Sequence, residues 1–214
     1  MAADSYLTVA RAAAAEVEIK RSRFLGTATR VESEEAAREV VTAARREHWD
    51  ARHHCSAFVL GARSEVQRSS DDGEPSGTAG APILDVVVGH ALSDVVVVVT
   101  RWFGGVLLGT GGLVRAYSEA AAAALAAAGV QRRALVAEYA VELDHGQAGR
   151  VESDLRARGI EILGVDYAAA VTLRLGVPAA RGAELPALLS SLTASVMDPQ
   201  PLGTRWTDVS DDPA

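Results

Sequence analysis

Two glycine-rich stretches of the sequence carry most of the residue types that could bind a charged ligand. The first, RSSDDGEPSGTAGAPIL, covers residues 68–84, and the second, RWFGGVLLGTGGLVRAYS, covers residues 101–118. Glycines let an anion approach backbone N–H groups because no Cβ stands in the way, and arginines pair with phosphate oxygens. This chemistry predicts an anion-binding surface formed by Arg68, Ser69, Ser70, Gly77, Thr78, Arg101, Gly104, Gly105, Gly111, Gly112 and Arg115.

RNA is the polyanion that suits such a surface, because Trp102 and Phe103 in the second stretch could offer an aromatic face to a base. Known nucleotide-binding motifs are absent. The P-loop pattern G-x-x-x-x-G-K-[ST] needs a lysine, and the only lysine is Lys20, far from either stretch. GTGGLV departs from the dinucleotide pattern G-x-G-x-x-G at Val114. We therefore do not predict a nucleotide-hydrolysing enzyme, and we assign no catalytic residue.

An acidic cluster in the first stretch supports a second interpretation. Asp71, Asp72 and Glu74 could hold a divalent metal or act as acid and base, as in a small, peptidase-like, metal-assisted hydrolase. Nitrogen ligands could come from His53, His54 and His90. The spacing fits no zinc signature, so we predict neither a metal ion nor another cofactor. The same carboxylates could equally cap backbone N–H groups or pair with an arginine.

Strand and helix signals place each glycine-rich stretch between a strand and a helix. Alternating residues at 17–19 and 24–31 predict a hairpin, and Ser33, followed by two glutamates, predicts the start of a helix. The other elements predicted in this half are a strand at 55–60, a loop at 61–80, a helix from Pro82 to about residue 92 capped by Gly80 or Thr78, a buried strand at 94–100 and a helix at 111–128 that ends at Gly129.

A second group of elements follows a boundary near residues 131–134. The pattern predicts strands at 135–143, 160–167 and 169–177, helices at 146–158 and 178–192, and a last strand at 195–196 or 205–209. This order, β-α-β-β-α-β, is that of the split β-α-β arrangement. Because 214 residues suffice for two domains, we predict one at residues 1–133 and one at 134–214.

Charge is distributed unevenly between these two parts. Residues 1–134 contain 15 Lys and Arg against 16 Asp and Glu, a net −1, whereas residues 135–214 contain 6 against 12, a net −6. A polyanion site is therefore expected in the first part. The lone cysteine, Cys55, excludes an intramolecular disulfide, and the first 20 residues contain charged residues and no apolar signal segment. We predict a cytoplasmic protein that does not cross a membrane.

Both glycine-rich stretches resemble the signature segments of the IMPACT/YigZ family almost throughout. Two upstream segments, EIKRSRFLGTATRV and WDARHHCSAFVLG, are similar to weaker motifs of that family. The resemblance covers about residues 5–130, and residues 135–210 resemble the family's small C-terminal domain with less motif support. Trp102 stands where the family more often has tyrosine.

The resemblance implies an α+β protein with two domains. The N-terminal domain would be like ribosomal protein S5 domain 2 and the C-terminal domain ferredoxin-like, both similar to the last two domains of translation elongation factor G. It also implies a role near translation. Eukaryotic relatives with an added RWD domain inhibit amino-acid-starvation kinase signalling, and we do not carry that partner over to this sequence.

Three hypotheses about function follow from the sequence. The first is a non-enzymatic protein that binds RNA or the ribosome, with a protein of the translation machinery as a further candidate partner, and that modulates translation. The second is the metal-assisted hydrolase. The third is a protein-interaction module that docks a partner on its valine- and alanine-rich surfaces.

Overall fold

An antiparallel sheet of five strands is the frame of the first half of the chain. The computed structural model describes residues 4–209, which divide into two units at the boundary between Arg132 and Arg133. The elements of the first unit are β1 (Ser5–Val9), β2 (Ala13–Ile19), β3 (Ser22–Arg30), α1 (Glu34–Glu47), β4 (His53–Leu60), β5 (Val66–Ser70), α2 (Gly80–Gly89), β6 (Val95–Trp102) and α3 (Thr110–Ala128). The sheet has the strand order β2-β3-β6-β4-β5, so β5 lies at one of its edges.

The valine run of β6 explains why helices cover both faces of this sheet. Val95, Val97 and Val99 belong to one buried cluster, which also contains residues of α2 and α3. Val96 and Val98 belong to a second buried cluster, which contains residues of α1. Successive side chains of a strand point to opposite faces, so an unbroken valine run is expected where both faces are covered.

Helix α1 begins where the sequence predicts. Ser33 is its N-cap, and the Ser33 Oγ accepts a hydrogen bond from the Ala36 N–H at 3.1 Å. Glu34 and Glu35 lie in the first turn, where the helix dipole favours negative charge. The predicted hairpin of β2 and β3 is also confirmed, and the turn between these strands contains Lys20 at a φ of 49°.

A second antiparallel sheet follows α3. Its elements are β7 (Val130–Leu143), α4 (His145–Ala157), β8 (Glu161–Tyr167), β9 (Val171–Pro178), a 3-10 turn (Ala179–Glu184), α5 (Leu185–Thr193) and β10 (Gln200–Asp208). Strands β9 and β10 flank β7, and β8 pairs with β9. Fully buried side chains from one strand and both helices, among them Leu173, Val151 and Leu189, form the core of this unit.

The predicted order of elements is observed, with a few local differences. The loop predicted at residues 61–80 contains β5, a polar edge strand without the apolar alternation that marks a strand. The sequence pattern predicts no strand at β1. The helix predicted at 178–192 is divided into the 3-10 turn and α5, and the last strand lies at Gln200–Asp208.

Candidate functional site

The carboxylates of the acidic loop, residues 71–75, bind the chain itself. Asp71 accepts hydrogen bonds from the backbone N–H groups of Gly77 at 2.8 Å, Ala79 at 3.0 Å and Gly80 at 2.8 Å. Partial burial acts to raise the pKa of Asp71, but these three hydrogen bonds outweigh it and hold the pKa below its ordinary value. The N–H groups at the start of α2 are therefore occupied by an internal carboxylate.

Gly77 and Thr78 also use their hydrogen-bond donors within the chain. Both are predicted to contact an external anion, but the Gly77 N–H donates to Asp71. Thr78 is buried, and both its backbone N–H and its Oγ1 donate to Pro75 O, at 3.0 and 2.6 Å. These two residues hold the acidic loop in place and offer no free donor to a ligand in this geometry.

Asp72 connects the acidic loop to α1 and β4. Its Oδ1 lies 2.6 Å from Arg45 Nη2, and its Oδ2 accepts a hydrogen bond from the His54 N–H at 2.7 Å. Burial lowers the pKa of His54, although a hydrogen bond with His48 O and the charge of Asp72 act in the opposite direction. Asp72 thus fixes the position of the Arg45 guanidinium.

Glu74 forms a buried ion pair with Arg101. Arg101 Nη1 and Tyr117 Oη donate to Glu74 Oε1 at 2.6 and 2.7 Å, and the Glu74 and Arg101 side chains are only 4% and 8% exposed. Burial raises the pKa of the Tyr117 phenol, so its hydroxyl remains a donor. Arg101 is therefore not the exposed phosphate ligand that the sequence predicts, because its charge is paired inside the protein.

The lone cysteine belongs to the same interior. Cys55 is fully buried, and its Sγ donates to Asp71 O at 3.0 Å. Burial raises the pKa of Cys55 to about 12, so the thiol stays protonated at neutral pH. These contacts agree with the core role that its place in an apolar strand suggests.

The geometry does not assemble the predicted acidic residues around a metal. Within residues 4–209, no group of three or more His, Cys, Asp or Glu side chains is arranged to hold a metal ion. Asp71, Asp72 and Glu74 accept hydrogen bonds from backbone N–H groups and from arginines instead. This arrangement favours a structural role for the acidic loop.

Three arginines line a groove between α1 and the edge strand β5. It has a volume of about 350 Å³, and we call it the arginine groove. Its lining includes Phe58 and Val41. Its charged and hydroxyl-bearing side chains on α1, β4 and β5 include Arg38, Arg45, Ser56, Arg68, Ser69 and Ser70.

Three of the arginines and serines that line this groove are predicted from the sequence. They are Arg68, Ser69 and Ser70, which reach the groove because they lie on β5. The prediction misses Arg38 and Arg45, whose side chains are 72% and 50% exposed. The signal for them is their spacing, because residues seven positions apart are about two turns apart along a helix and share one face of α1.

A second groove, of about 390 Å³, lies at the start of α3, and we call it the α3 groove. Its apolar lining is Phe103, Leu107, Leu108 and Leu113, and its charged or titratable lining is Arg52, His53, Glu74 and Arg101. Gly109 is the N-cap of α3, with a φ of 74°, and no side chain caps the helix. The first-turn N–H groups of this 19-residue helix therefore lack a side-chain partner.

Gly104 and Trp102 take part in packing at this end of the sheet. A Cβ on Gly104 would lie 2.0 Å from the backbone of the β2–β3 turn, and the Gly104 N–H donates to Ser22 Oγ at 3.1 Å. The Trp102 ring lies under the Arg23 guanidinium, 3.8 Å from it, and Trp102 Nε1 donates to Asp50 at 2.9 Å. Neither residue is therefore positioned to meet a ligand as the sequence predicts, whereas Phe103 is 44% exposed.

The remaining predicted residues lie on or near α3. A Cβ on Gly105 or Gly111 would meet nothing within 4 Å, and one on Gly112 would meet Leu108 Cβ at 3.0 Å. Arg115 is exposed on α3 and lines neither the arginine groove nor the α3 groove. The predicted residues thus lie in several separate places and do not form one surface.

Comparison with known proteins shows which family this chain resembles. The Impact N-terminal domain matches residues 20–125, and a domain of unknown function, DUF1949, matches residues 141–195. The chain is 41% identical over 192 residues to the IMPACT family member YigZ of Escherichia coli (strain K12), which covers 89% of this chain and 94% of that protein. The chain belongs to the IMPACT family.

Two further comparisons agree with this assignment. The IMPACT family member YvyE of Bacillus subtilis (strain 168) is 43% identical over 152 residues, which are 71% of this chain and 70% of that protein. A solved structure described as "Crystal structure of an hypothetical protein" is 39% identical, with a TM-score of 0.64, and covers 92% of this chain and 97% of its own. The residues that line the arginine groove and the α3 groove all lie within the Impact N-terminal domain.

In the part of the chain from residue 4 to residue 209, no helix combines the length and the apolar character needed to cross a membrane.

Proposed function

We propose that this IMPACT family protein binds RNA through the arginine groove and, without catalysing a reaction, modulates translation as a ribosome-associated protein. The observation that carries the proposal is the convergence of three arginines and three serines from α1, β4 and β5 on one groove. Guanidinium groups match the geometry of phosphate oxygens, and serine hydroxyls add neutral donors to the same oxygens.

The groove suits the RNA backbone better than the bases. Arg38 and Arg45 are exposed enough to be reached, and Arg68 is exposed on the edge strand. Phe58, the aromatic residue of the lining, is 9% exposed and offers almost no face on which a base could stack. Binding through this groove should therefore depend weakly on RNA sequence and strongly on salt.

Neighbouring acids leave this groove able to accept phosphate. Arg38 pairs with Glu34 at 2.8 Å, but that pair is exposed and contributes little, so a phosphate can replace it at low cost. The pair of Arg45 with Asp72 holds one Arg45 nitrogen and leaves the other N–H donors of the guanidinium for a ligand. The part of the chain that carries the groove also has almost balanced charge, whereas residues 135–214 have a net −6 from 6 cations and 12 anions.

The test is a titration of the full chain with a fluorescent single-stranded oligouridine of about 12 nucleotides, a length typical of single-strand binding sites. Because three arginines face the groove, the logarithm of the association constant should fall against the logarithm of salt concentration with a slope of about −2. The Arg68→Ala variant should bind more weakly, and its slope should be shallower by about 0.7, one phosphate contact on a single strand.

Arg115→Ala is the matched control, since it removes the same charge from an exposed site on α3 that lies outside both grooves. Its affinity and slope should equal those of the unmodified protein. Equal losses in Arg115→Ala and Arg68→Ala would show that only net charge matters, and binding without salt dependence would contradict the proposal.

The fold assignments and the cellular compartment belong to the same proposal. The sheet order β10-β7-β9-β8, with α4 and α5 as connections, supports a ferredoxin-like C-terminal domain. The five-stranded sheet of the first unit, with helices on both faces, supports an N-terminal domain like ribosomal protein S5 domain 2. A ribosomal RNA ligand and a lone, free Cys55, which suits a reducing compartment, support a cytoplasmic location.

A further inference from the structure

The loop between β6 and α3 exposes an apolar surface that RNA binding does not use. Phe103, Val106 and Leu107 are 44%, 40% and 83% exposed. Phe103 and Leu107, with Leu108 and Leu113, form the apolar wall of the α3 groove. Clustered exposed apolar side chains beside a groove of this size are typical of a binding site for a small molecule or for the end of a peptide.

The charged groups around this wall favour an anion. The first turn of α3 has no side-chain cap, and a Cβ on Gly109 or Gly111 would meet nothing within 4 Å, so the N–H groups of this turn can be approached. Arg52 is exposed on the lining. The helix dipole and the arginine both attract negative charge.

The one acid of the lining does not oppose this. Glu74 is 4% exposed, and its charge is matched by Arg101 and hydrogen-bonded by Tyr117. Arg101, which is 6% exposed and lines the groove, keeps a buried Nε that has no hydrogen-bond partner among the described residues. The groove thus has an unused donor in its wall as well as the open amides of α3.

We propose that the α3 groove binds the free C-terminus of a partner peptide that ends in an apolar residue. The α-carboxylate lies against the N–H groups of the first turn of α3, and the last side chain packs against Leu107, Leu108 and Leu113. Capture of a carboxylate by backbone N–H groups, with a neighbouring apolar pocket for selectivity, is an established mode of peptide recognition. Three of the four residues of the apolar wall are leucines, which suit the side chain of a peptide, whereas Phe103 alone offers a flat face to a base. This site is independent of RNA binding in the arginine groove.

The experiment uses the full chain and two fluorescent peptides of sequence Gly-Gly-Ser-Val-Leu, one with a free C-terminal carboxylate and one with a C-terminal amide. The free acid should bind at least about ten-fold more tightly, because only the carboxylate makes charge-assisted hydrogen bonds to the helix start. A peptide that ends in Gly-Asp should bind as weakly as the amide. Equal affinity for acid and amide, or no binding by either, would overturn the proposal.

Two variants locate the binding to this groove. Thr110→Pro removes the N–H of the first helical residue, N1, a position that favours proline. The preceding residue, Gly109, has a ψ of 167°, which is compatible with a following proline. Thr110→Ala keeps that N–H and is the matched control. Thr110→Pro should weaken binding of the free acid at least three-fold relative to Thr110→Ala, on the order of 0.7 kcal/mol, and should leave binding of the amide unchanged.

Leu107→Asp tests the apolar wall without disturbing the fold, since this side chain is 83% exposed. It should abolish peptide binding and leave the affinity for oligouridine unchanged. Displacement of the peptide by oligouridine would assign the groove to RNA and would overturn the proposal. Full peptide affinity in both Leu107→Asp and Thr110→Pro would do the same.

Discussion

Single residues of the glycine-rich stretches act first on the chain itself. Asp71 binds three backbone N–H groups, Asp72 holds Arg45, and Glu74 is buried against Arg101. The three acids accept hydrogen bonds from backbone N–H groups and arginines of the same chain, so most of the charge of the acidic loop is paired internally. The groups left for a ligand are those at its borders, such as Arg68 on the edge strand.

Asp71 provides a prediction at this scale. Asp71→Ala leaves the N–H groups of Ala79 and Gly80, at the start of α2, and of Gly77, in the loop before it, without their acceptor, and should lower the free energy of unfolding by about 1–2 kcal/mol, as for loss of a strong N-cap. The pKa of Asp71 is lowered in the folded protein, so its contribution is complete above its ordinary pKa of 3.8 and is lost as the pH falls through the lower folded value.

Urea unfolding at pH 7 and at about pH 2.5 measures this contribution. The difference between the unmodified protein and Asp71→Ala should be large at pH 7 and smaller at the acidic pH. Asp85→Ala, which removes an exposed acid from α2, is the control and should change stability little at either pH. A difference for Asp71→Ala that does not depend on pH would mean that its charge is not involved.

At the scale of elements, the sequence predicts helices and buried strands well and the polar edge poorly. Ser33 marks the start of α1, Gly129 marks the end of α3, and the valine run marks β6, and all three elements lie close to their predicted positions. Strand β5 gives no such signal, because its exposed polar residues have no apolar face to alternate with. The arginine groove could therefore not be predicted as a unit, since it needs β5 beside α1.

Two glycines, one on β3 and one on α3, test how closely α3 packs against the sheet. A Cβ on Gly26 of β3 would lie 2.3 Å from Ala120 O of α3, whereas one on Gly111 would meet nothing within 4 Å. Gly26→Ala should therefore lower the free energy of unfolding by about 1–3 kcal/mol through overpacking. Gly111→Ala should be neutral or stabilising by up to about 1 kcal/mol, because alanine favours a helix.

Thermal unfolding followed by circular dichroism distinguishes these two variants. The midpoint should fall for Gly26→Ala and should not fall for Gly111→Ala. Similar midpoints for the two variants would show that the close contact between β3 and α3 relaxes without cost.

At the scale of the molecule, the sequence predicts the succession of elements and the family, and it leaves the site incomplete. The family motifs lie in the Impact N-terminal domain, and both grooves lie there too. What the motifs do not reveal is that Arg101 and Gly77 are used internally while Arg38 and Arg45, outside both motifs, complete a groove with Arg68. Contacts between distant segments decide this, and local patterns do not record them.

The most direct test of RNA binding in the arginine groove is ultraviolet crosslinking of the full chain to oligouridine, followed by mass spectrometry of the crosslinked peptides. Crosslinks should concentrate in α1 and in β4–β5, at residues 34–47 and 53–70, which contain the residues that line the arginine groove. Arg68→Ala should reduce them, and Arg115→Ala should not. Crosslinks concentrated at residues 133–209, or at the start of α3, would contradict the assignment of RNA to this groove.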